Sequence, residues 1–298
     1  MSGSPTLTLA LARVGADVDH GFDRLLAIPT DARARLYEAM RYSAIGGGKR
    51  IRPMLVVAGC DLFKVDRDRA LRAALAVECI HVYSLIHDDL PCMDDDDLRR
   101  GKPTLHRAFE ESTAILAGDS LHALAFEVLA DEATHEDPFV RSELVLELAR
   151  AAGPAGMAGG QMMDLSAGGL TLDLAAVTRL QQMKTGALIG WCLEAAAIMG
   201  RVPPEGRTAL RGFARDLGLA FQIADDLLDH LGNVERAGKR VGKDQAAGKE
   251  TFVSLLGADR ARQQASFLVS QAIEHLGNHS DEADLLRAIA RFAIERDH

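Results

Sequence analysis

The stretch from Leu71 to Ile86 constrains the fold more than any other. It is almost unbroken in apolar residues and runs directly into a window, Asp88 to Asp97, in which six of ten positions are aspartate. Leu71, Ala74, Leu75, Val77, Cys79 and Ile80, then Val82, Leu85 and Ile86, predict a helix buried on nearly every side. A buried helix that ends in massed carboxylates needs a compensating cation. A charge run standing alone is usually a solvated acidic turn. This one has a counterpart, Phe221-Gln222-Ile223-Ala224-Asp225-Asp226-Leu227-Leu228-Asp229, which again sets paired aspartates on an apolar helix.

The rest of the chain reads as helical too. Ala and Leu dominate, aromatics supply only 5%, and apolar positions recur three or four apart. Val140, Leu144, Val145 and Leu148 predict one amphipathic stripe, and Leu285, Ile289 and Phe292 a last helix. No Asn-Gly or Asp-Gly hairpin signal stands between alternating apolar runs. Breaks fall at Pro29, Gly46-Gly47-Gly48, Pro91, Gly101, Pro138, Pro203-Pro204 and Gly238. None is long enough for a flexible linker, so residues 1–298 read as one large all-α domain of about ten helices. The glycine-rich segment Gly153 to Gly169, with Met157, Gln161, Met162, Met163 and Asp164 embedded, predicts a helix that a neighbour approaches closely.

Composition removes several classes. With 298 residues and 48% apolar content the chain builds a substantial core, which excludes disorder. Its formal charge of -9 and lack of a basic tail argue against nucleic acid as the main partner. Four cysteines without a C-x-x-C pair (Cys60, Cys79, Cys92, Cys192) read as buried small hydrophobes of a reducing, cytoplasmic compartment. The N-terminus lacks a basic start and a secretion signal. The longest uncharged stretch, Ala151 to Met163, is thirteen residues, too short for a membrane span.

Asp225 and Asp229 are four apart, so both carboxylates leave one face of a helix about 6 Å apart along the axis. Asp88 and Asp94 are six apart, and looping out two residues at Pro91-Cys92 restores the same offset. Oxygen-only ligands without a neighbouring thiolate suit a hard cation such as Mg²⁺ shared with a phosphate-bearing substrate. Phosphate also accounts for the short basic clusters Lys49-Arg50-Ile51-Arg52, Arg99-Arg100-Gly101-Lys102, Lys184-Thr185, Lys239-Arg240 with Lys243, and Lys249. A surface patch explains one such cluster; five alternating with two acidic groups in an acidic chain point to a site. Gly242 to Gly248-Lys249 is not a P-loop, because it has one intervening residue too many and Glu250 where Ser or Thr belongs. His81 lies two turns before Asp88 on nearly the same face, near the proposed phosphates, although a lone histidine there is more often a core residue.

These residues, in this order, resemble the trans-isoprenyl diphosphate synthases, most closely the bacterial farnesyl diphosphate synthases. The resemblance rests on Gly47 to Pro53, on His81 to Pro91 with Met93-Asp94 and Gly101 to Thr104, on Gly160-Gln161 with Asp164, on Lys184-Thr185, and on Phe221-Gln222 through Asp229 with Gly238-Lys239 and Gly248-Lys249. It implies an all-helical isoprenoid synthase fold around a deep central cavity, with the two acidic motifs facing each other across its mouth. It implies that Asp88, Asp89, Asp94 and Asp225 ligate a cluster of Mg²⁺ ions, three in the closed complex, with Asp226 and Asp229 in support. Arg99, Lys184, Thr185, Gln222, Lys239 and Lys249 would surround an allylic diphosphate, dimethylallyl or geranyl; Lys49, Arg52, His81 and Arg100 would hold isopentenyl diphosphate. Asp88, Asp94, Lys184 and Asp225 carry the catalytic roles, and a homodimer is expected.

Tyr83 and Ser84 lie five and four residues before Asp88, deeper than the metals, and the resemblance makes them the floor that stops the product at fifteen carbons. The same chemistry with a geranyl or geranylgeranyl product is the alternative. The C-terminal Glu295-Arg296-Asp297-His298 departs from the basic ending of related chains. Two other classes compete. Glu78-x-x-His81 and Glu132-x-x-His135 are the pairs a di-iron bundle needs, but such a site leaves the basic clusters unexplained. A non-catalytic synthase subunit would have degraded aspartate motifs, and both motifs are intact here.

Overall fold

The structure, a computed structural model, describes residues 5–168, 170–230, 249–277 and 279–295. Its first half runs through α1 (Pro5–Leu25), α2 (Ala34–Ala44), α3 (Ile51–Leu62), α4 (Arg67–Asp88), the four-residue α5 (Leu105–Ala108), α6 (Glu111–Ala130) and α7 (Pro138–Ala152). The second half follows with α8 (Met157–Ser166), α9 (Leu174–Gln181), a π-helical turn (Gln182–Gly186), α10 (Ala187–Met199) and α11 (Thr208–His230). After the undescribed segment come α12 (Phe252–Leu256), α13 (Ala258–His275) and α14 (Asp284–Ile294). The count exceeds the ten expected partly because α5 and α12 are single turns.

Local chemistry sets many of the helix starts. Asp66 caps α4 by accepting from the amides of Asp68 and Arg69, and Asp137 caps α7 ahead of Pro138 in its first turn. Asp173 caps α9, and Thr251 forms a capping box with Ser254 at α12. The fold is all-α as expected, with α4 at its centre packed against α1, α2, α3, α6 and α10. Helix α11 packs against α10, α13 and the π-helical turn. One buried apolar cluster runs from Leu7 in α1 to Ala293 in α14, and twelve consecutive residues of α4 from Ala73 to Ser84 include only His81 and Tyr83 that are not buried.

Four expectations change. A two-residue ribbon pairs Leu98–Arg99 (β1) with Lys102–Pro103 (β2), turning at Arg100 and Gly101 with φ of 54° and 74°. That is the left-handed pair a tight hairpin requires, with Arg in the place usually held by Asn or Asp. Cys92 is exposed, whereas Cys60, Cys79 and Cys192 are buried, because Cys92 sits on a turn beyond the end of α4. The buried stripe of α14 is Leu286, Ile289, Ala290 and Ala293, with Leu285 and Phe292 only half-buried at its edges. By length and composition α4 and α6 are each apolar enough to cross a membrane, contrary to the count of uncharged residues; α4 nonetheless lies mostly inside the bundle. Gly238, Lys239, Arg240, Lys243 and the glycines up to Gly248 lie outside the described residues.

Candidate active site

A cavity of about 770 Å³ opens along one face of α4, where Glu78, His81, Val82, Leu85, Ile86 and Asp89 recur three and four apart. Its other walls come from the α2–α3 loop (Gly46 to Arg52), the hairpin (Arg99, Arg100, Lys102), Thr185 and α11 (Phe221, Asp225). Six cationic side chains against three carboxylates line it, in a chain that is acidic overall. Lys49, Arg52, His81, Arg99, Arg100, Thr185, Asp89 and Asp225 all line this one cavity.

The first acidic group turns back on itself. Helix α4 ends at Asp88, and the amide of Asp94 donates to the carbonyl of Asp88 (2.8 Å) while that of Asp96 donates to Asp89 (3.2 Å). The six-residue spacing is thus closed by a turn through Pro91 and Cys92, not by a resumed helix. Burial pushes the Asp88 carboxyl up, Lys184 opposes this, and Asp94 adds to it. Gln161 on α8 donates to Asp88 at 2.7 Å. Asp89, nearly inaccessible, is gripped by two nitrogens of Arg99, with Nε donating to Oδ1 (2.7 Å) and Oδ2 (2.9 Å) and Nη2 lying 2.6 Å from Oδ1. Burial opposes the Arg99 charge, but the hydrogen bonds to Asp89 outweigh it and the guanidinium rises above its ordinary value.

Lys184 and Thr185 meet their partners through the π-helical turn. This turn carries Lys184 and Thr185, and the extra residue per turn re-aims side chains at a functional site. Lys184 Nζ and Lys249 Nζ both donate to Asp164 Oδ2, at 2.7 and 2.9 Å. Despite burial, Lys184 is held above its usual value by Asp164 and then by Asp88 and Asp94, so the lysine lies within reach of the acidic turn. Thr185 donates to Gln222 (3.2 Å), Gln222 to Asp226 (2.9 Å), and Asp226 accepts from the Phe252 amide (3.0 Å), which ties α11 to α12. Gly160 makes the approach of α8 possible: a Cβ there would lie 2.3 Å from the Lys184 backbone nitrogen.

On the opposite wall Arg100 lies over the α2–α3 loop; a Cβ on Gly48 would come within 2.6 Å of its Nη2. Burial draws Arg52 below its ordinary value, and its buried Nε has no hydrogen-bond partner among the described residues. Burial, reinforced by Arg52, Arg100, Arg99 and Arg50, holds His81 well below the usual histidine range, so its ring is neutral at pH 7. A concave wall of arginines with an unsatisfied buried N–H is built to receive an anion.

The residues also fit a hard divalent cation. Asp94 pushes the Asp88 carboxyl up, so the two charges oppose each other, although among the described residues no three His, Cys, Asp or Glu side chains are gathered into a group that could hold a metal ion by themselves. An ion held there keeps positions open for phosphate oxygens and water, as Mg²⁺ does. The di-iron pattern is not assembled: Glu78 is ion-paired with Arg50 at 2.6 Å, and His135 Nδ1 accepts from the Asp137 amide.

The family described as polyprenyl synthetase matches residues 33–291. The chain belongs to the polyprenyl synthetase family. It is 46% identical over 270 residues to a farnesyl diphosphate synthase of Escherichia coli, covering 87% of this chain and 89% of that one. An FPP/GFPP synthase structure from Zymomonas mobilis shares 57% identity at a TM-score of 0.90, covering 97% of this chain and 99% of that one. A Helicobacter pylori geranyltransferase, solved with magnesium and isoprenyl diphosphate, shares 31% identity at a TM-score of 0.81, covering 99% and 98%.

Within this polyprenyl synthetase, Tyr83 and Ser84 do not line the described cavity. Tyr83 turns toward α6, stacking edge-on against His122 (4.9 Å) and His87 (5.8 Å), while burial and then the charge of Asp88 raise its phenol above the ordinary range. Ser84 is buried and donates to the His81 carbonyl (2.9 Å). The roles of Arg50, Glu78, Gln161 and Asp164 were missed. Gln161 and Asp164, three apart on α8, carried the available signal, since that spacing puts both on one face.

Proposed function

We propose that this chain elongates allylic diphosphates with isopentenyl diphosphate, taking dimethylallyl and then geranyl diphosphate to farnesyl diphosphate. The observation that carries the reading is the juxtaposition of the acidic end of α4 with two separate cationic groups, Lys184 and Lys249 on one side and Lys49, Arg52 and Arg100 on the other. Two diphosphates are thereby gripped apart, with their hydrocarbon ends meeting along α4.

Lys184, Lys249, Thr185, Gln222 and Arg99 orient the allylic diphosphate and receive the charge that develops as it leaves; Lys239 belongs to the same group by its motif. Asp89 holds Arg99 in line through its bidentate pair, so its contribution is orientation of that guanidinium. Asp88, Asp94 and Asp225 would hold Mg²⁺, which when bound supplies positive charge toward the departing diphosphate. Neutral His81, with Lys49, Arg52 and Arg100, holds isopentenyl diphosphate so that its double bond faces the allylic carbon. The apolar face of Val82, Leu85 and Ile86 keeps water from the cation formed there. The departing diphosphate accepts the final proton.

Tyr83 lies outside the described cavity; as a wall beside Asp88 facing α6 it would close a chain path running there, which favours the fifteen-carbon product, and a longer product from the same chemistry is the second reading, supported by the double product name of the Zymomonas mobilis relative. A homodimer accounts for α6, whose Ile115 and Leu116 are 44% and 56% exposed. Incubation with geranyl diphosphate, isopentenyl diphosphate and Mg²⁺, followed by product sizing, tests the reading. The expected product is one isoprene unit longer, lost on chelation of the metal; no elongated product in the presence of Mg²⁺ would overturn it.

A further inference from the structure

We infer that Asp19, on the N-terminal helix α1, is a positioning residue for the isopentenyl diphosphate grip, acting through Arg50; this rests on the function proposed above. Arg50 stands between Lys49 and Arg52 in sequence but does not share their situation. Its side chain is 3% exposed and both terminal nitrogens are engaged: Nη1 with Glu78 at 2.6 Å, Nη2 with Asp19 at 2.6 Å and with the Ala44 carbonyl at 2.5 Å. The guanidinium also lies 6.0 Å over the Phe22 ring of α1. With those nitrogens committed, Arg50 serves the loop rather than the substrate, whereas Arg52 Nε is buried with no partner among the described residues.

The backbone explains why such an anchor is needed. Arg50 is the N-cap of α3 in the left-handed region (φ 51°, ψ 35°), a conformation that a residue with a side chain holds only when its surroundings impose it. Gly46 and Gly48 also have positive φ, 73° and 80°. Asp19 secures this segment at both ends, since Oδ1 pairs with Arg50 and Oδ2 accepts the Gly46 amide at 3.2 Å. Between those two points lie Gly47, Gly48 and Lys49, the stretch against which Arg100 rests. One carboxylate from α1 thus sets where Lys49, Arg52 and Arg100 present their charges, while Lys184 and Lys249 on the allylic side are held by a different carboxylate, Asp164.

A split in Michaelis constants follows. Asp19→Ala should raise KM for isopentenyl diphosphate by about tenfold, as expected for losing one charge-assisted anchor, and leave KM for geranyl diphosphate within twofold. Asp19→Asn, whose amide oxygen still accepts from the Gly46 amide, should recover part of the loss. Asp17→Ala removes an ion pair to Arg67 (2.7 Å) two residues along the same helix and should change neither constant. Calorimetric titration with isopentenyl diphosphate reads the same weakening without turnover. A purely structural role would move both constants together with the melting temperature, and that result, or an unchanged KM for isopentenyl diphosphate in Asp19→Ala, would overturn the inference. A wild-type chain that binds isopentenyl diphosphate normally but elongates nothing would instead strike the proposed function.

Discussion

Gly160→Ala tests how the allylic side is assembled. The added methyl would sit 2.3 Å from the Lys184 nitrogen and 2.6 Å from its Cα, contacts with backbone that no rotamer change relieves. Restoring ordinary contact requires the π-helical turn and α8 to separate by roughly 1 Å. Overpacking of this kind costs about 1–3 kcal/mol, and the better helix propensity of Ala returns about 1 kcal/mol, so net stability falls by about 1–2 kcal/mol. Activity should fall further, because a displacement of roughly 1 Å at a positioned group costs on the order of a hundredfold. Gly190→Ala isolates the propensity effect, since nothing lies within 4 Å of its Cβ position, and it should stabilise by about 0.5–1 kcal/mol. Steady-state kinetics on geranyl diphosphate and thermal melting of both variants supply the comparison. A Gly160→Ala protein with wild-type melting and turnover within threefold of wild type would refute this account of how Lys184 is placed.

Asp88→Asn should lower turnover by at least about a hundredfold while leaving the melting temperature near wild type, because it removes a charge that burial and Asp94 already disfavour; near wild-type turnover would contradict its metal role. Tyr83→Ala removes the ring stacked on His122 and should shift the product distribution, sized by chromatography, toward longer chains; an unchanged distribution would defeat the wall assignment. His81 contributes a pH dependence of definite sign. Its folded value is depressed below 6.5, so the unfolded chain binds the proton more readily, and stability present above that pH is lost as pH falls through it. His81→Gln should therefore lose less melting temperature than wild type between pH of about 7.5 and about 5.5, and equal losses would show that the imidazole is not held neutral.

Helicity and the position of the acidic groups were legible because they are local. A run such as Leu71 to Ile86 can bury itself only as an interior helix, and aspartates at its end cannot be buried unpaired. Gly160 was legible as a site of close approach for the same reason, although the partner that approaches, Lys184, was not. Motif order carried the family and most of the cavity residues. It gave no sign that Asp89 would be occupied by Arg99, because Arg99 is brought back, ten positions along, by the turn after α4 and by a hairpin whose Arg100-Gly101 corner lacks the usual signature. Tyr83 was expected deeper in the cavity than Asp88, whereas it faces α6 outside the described cavity, a rotation that depends on the packing of α6 and that spacing within α4 does not encode.

The chain by itself determined the helices, their caps, the two acidic termini and the supply of basic residues, since each follows from propensity, periodicity and charge over a few neighbouring positions. Only the tertiary structure decided which cations are committed and which remain for substrate. Arg50 and Arg52 are two residues apart and chemically identical, yet Arg50 is bound by Asp19, Glu78 and Ala44 while Arg52 keeps a buried N–H with no partner among the described residues. That division depends on carboxylates 31 and 28 residues away, on α1 and α4, and long-range contact is what folding adds to sequence.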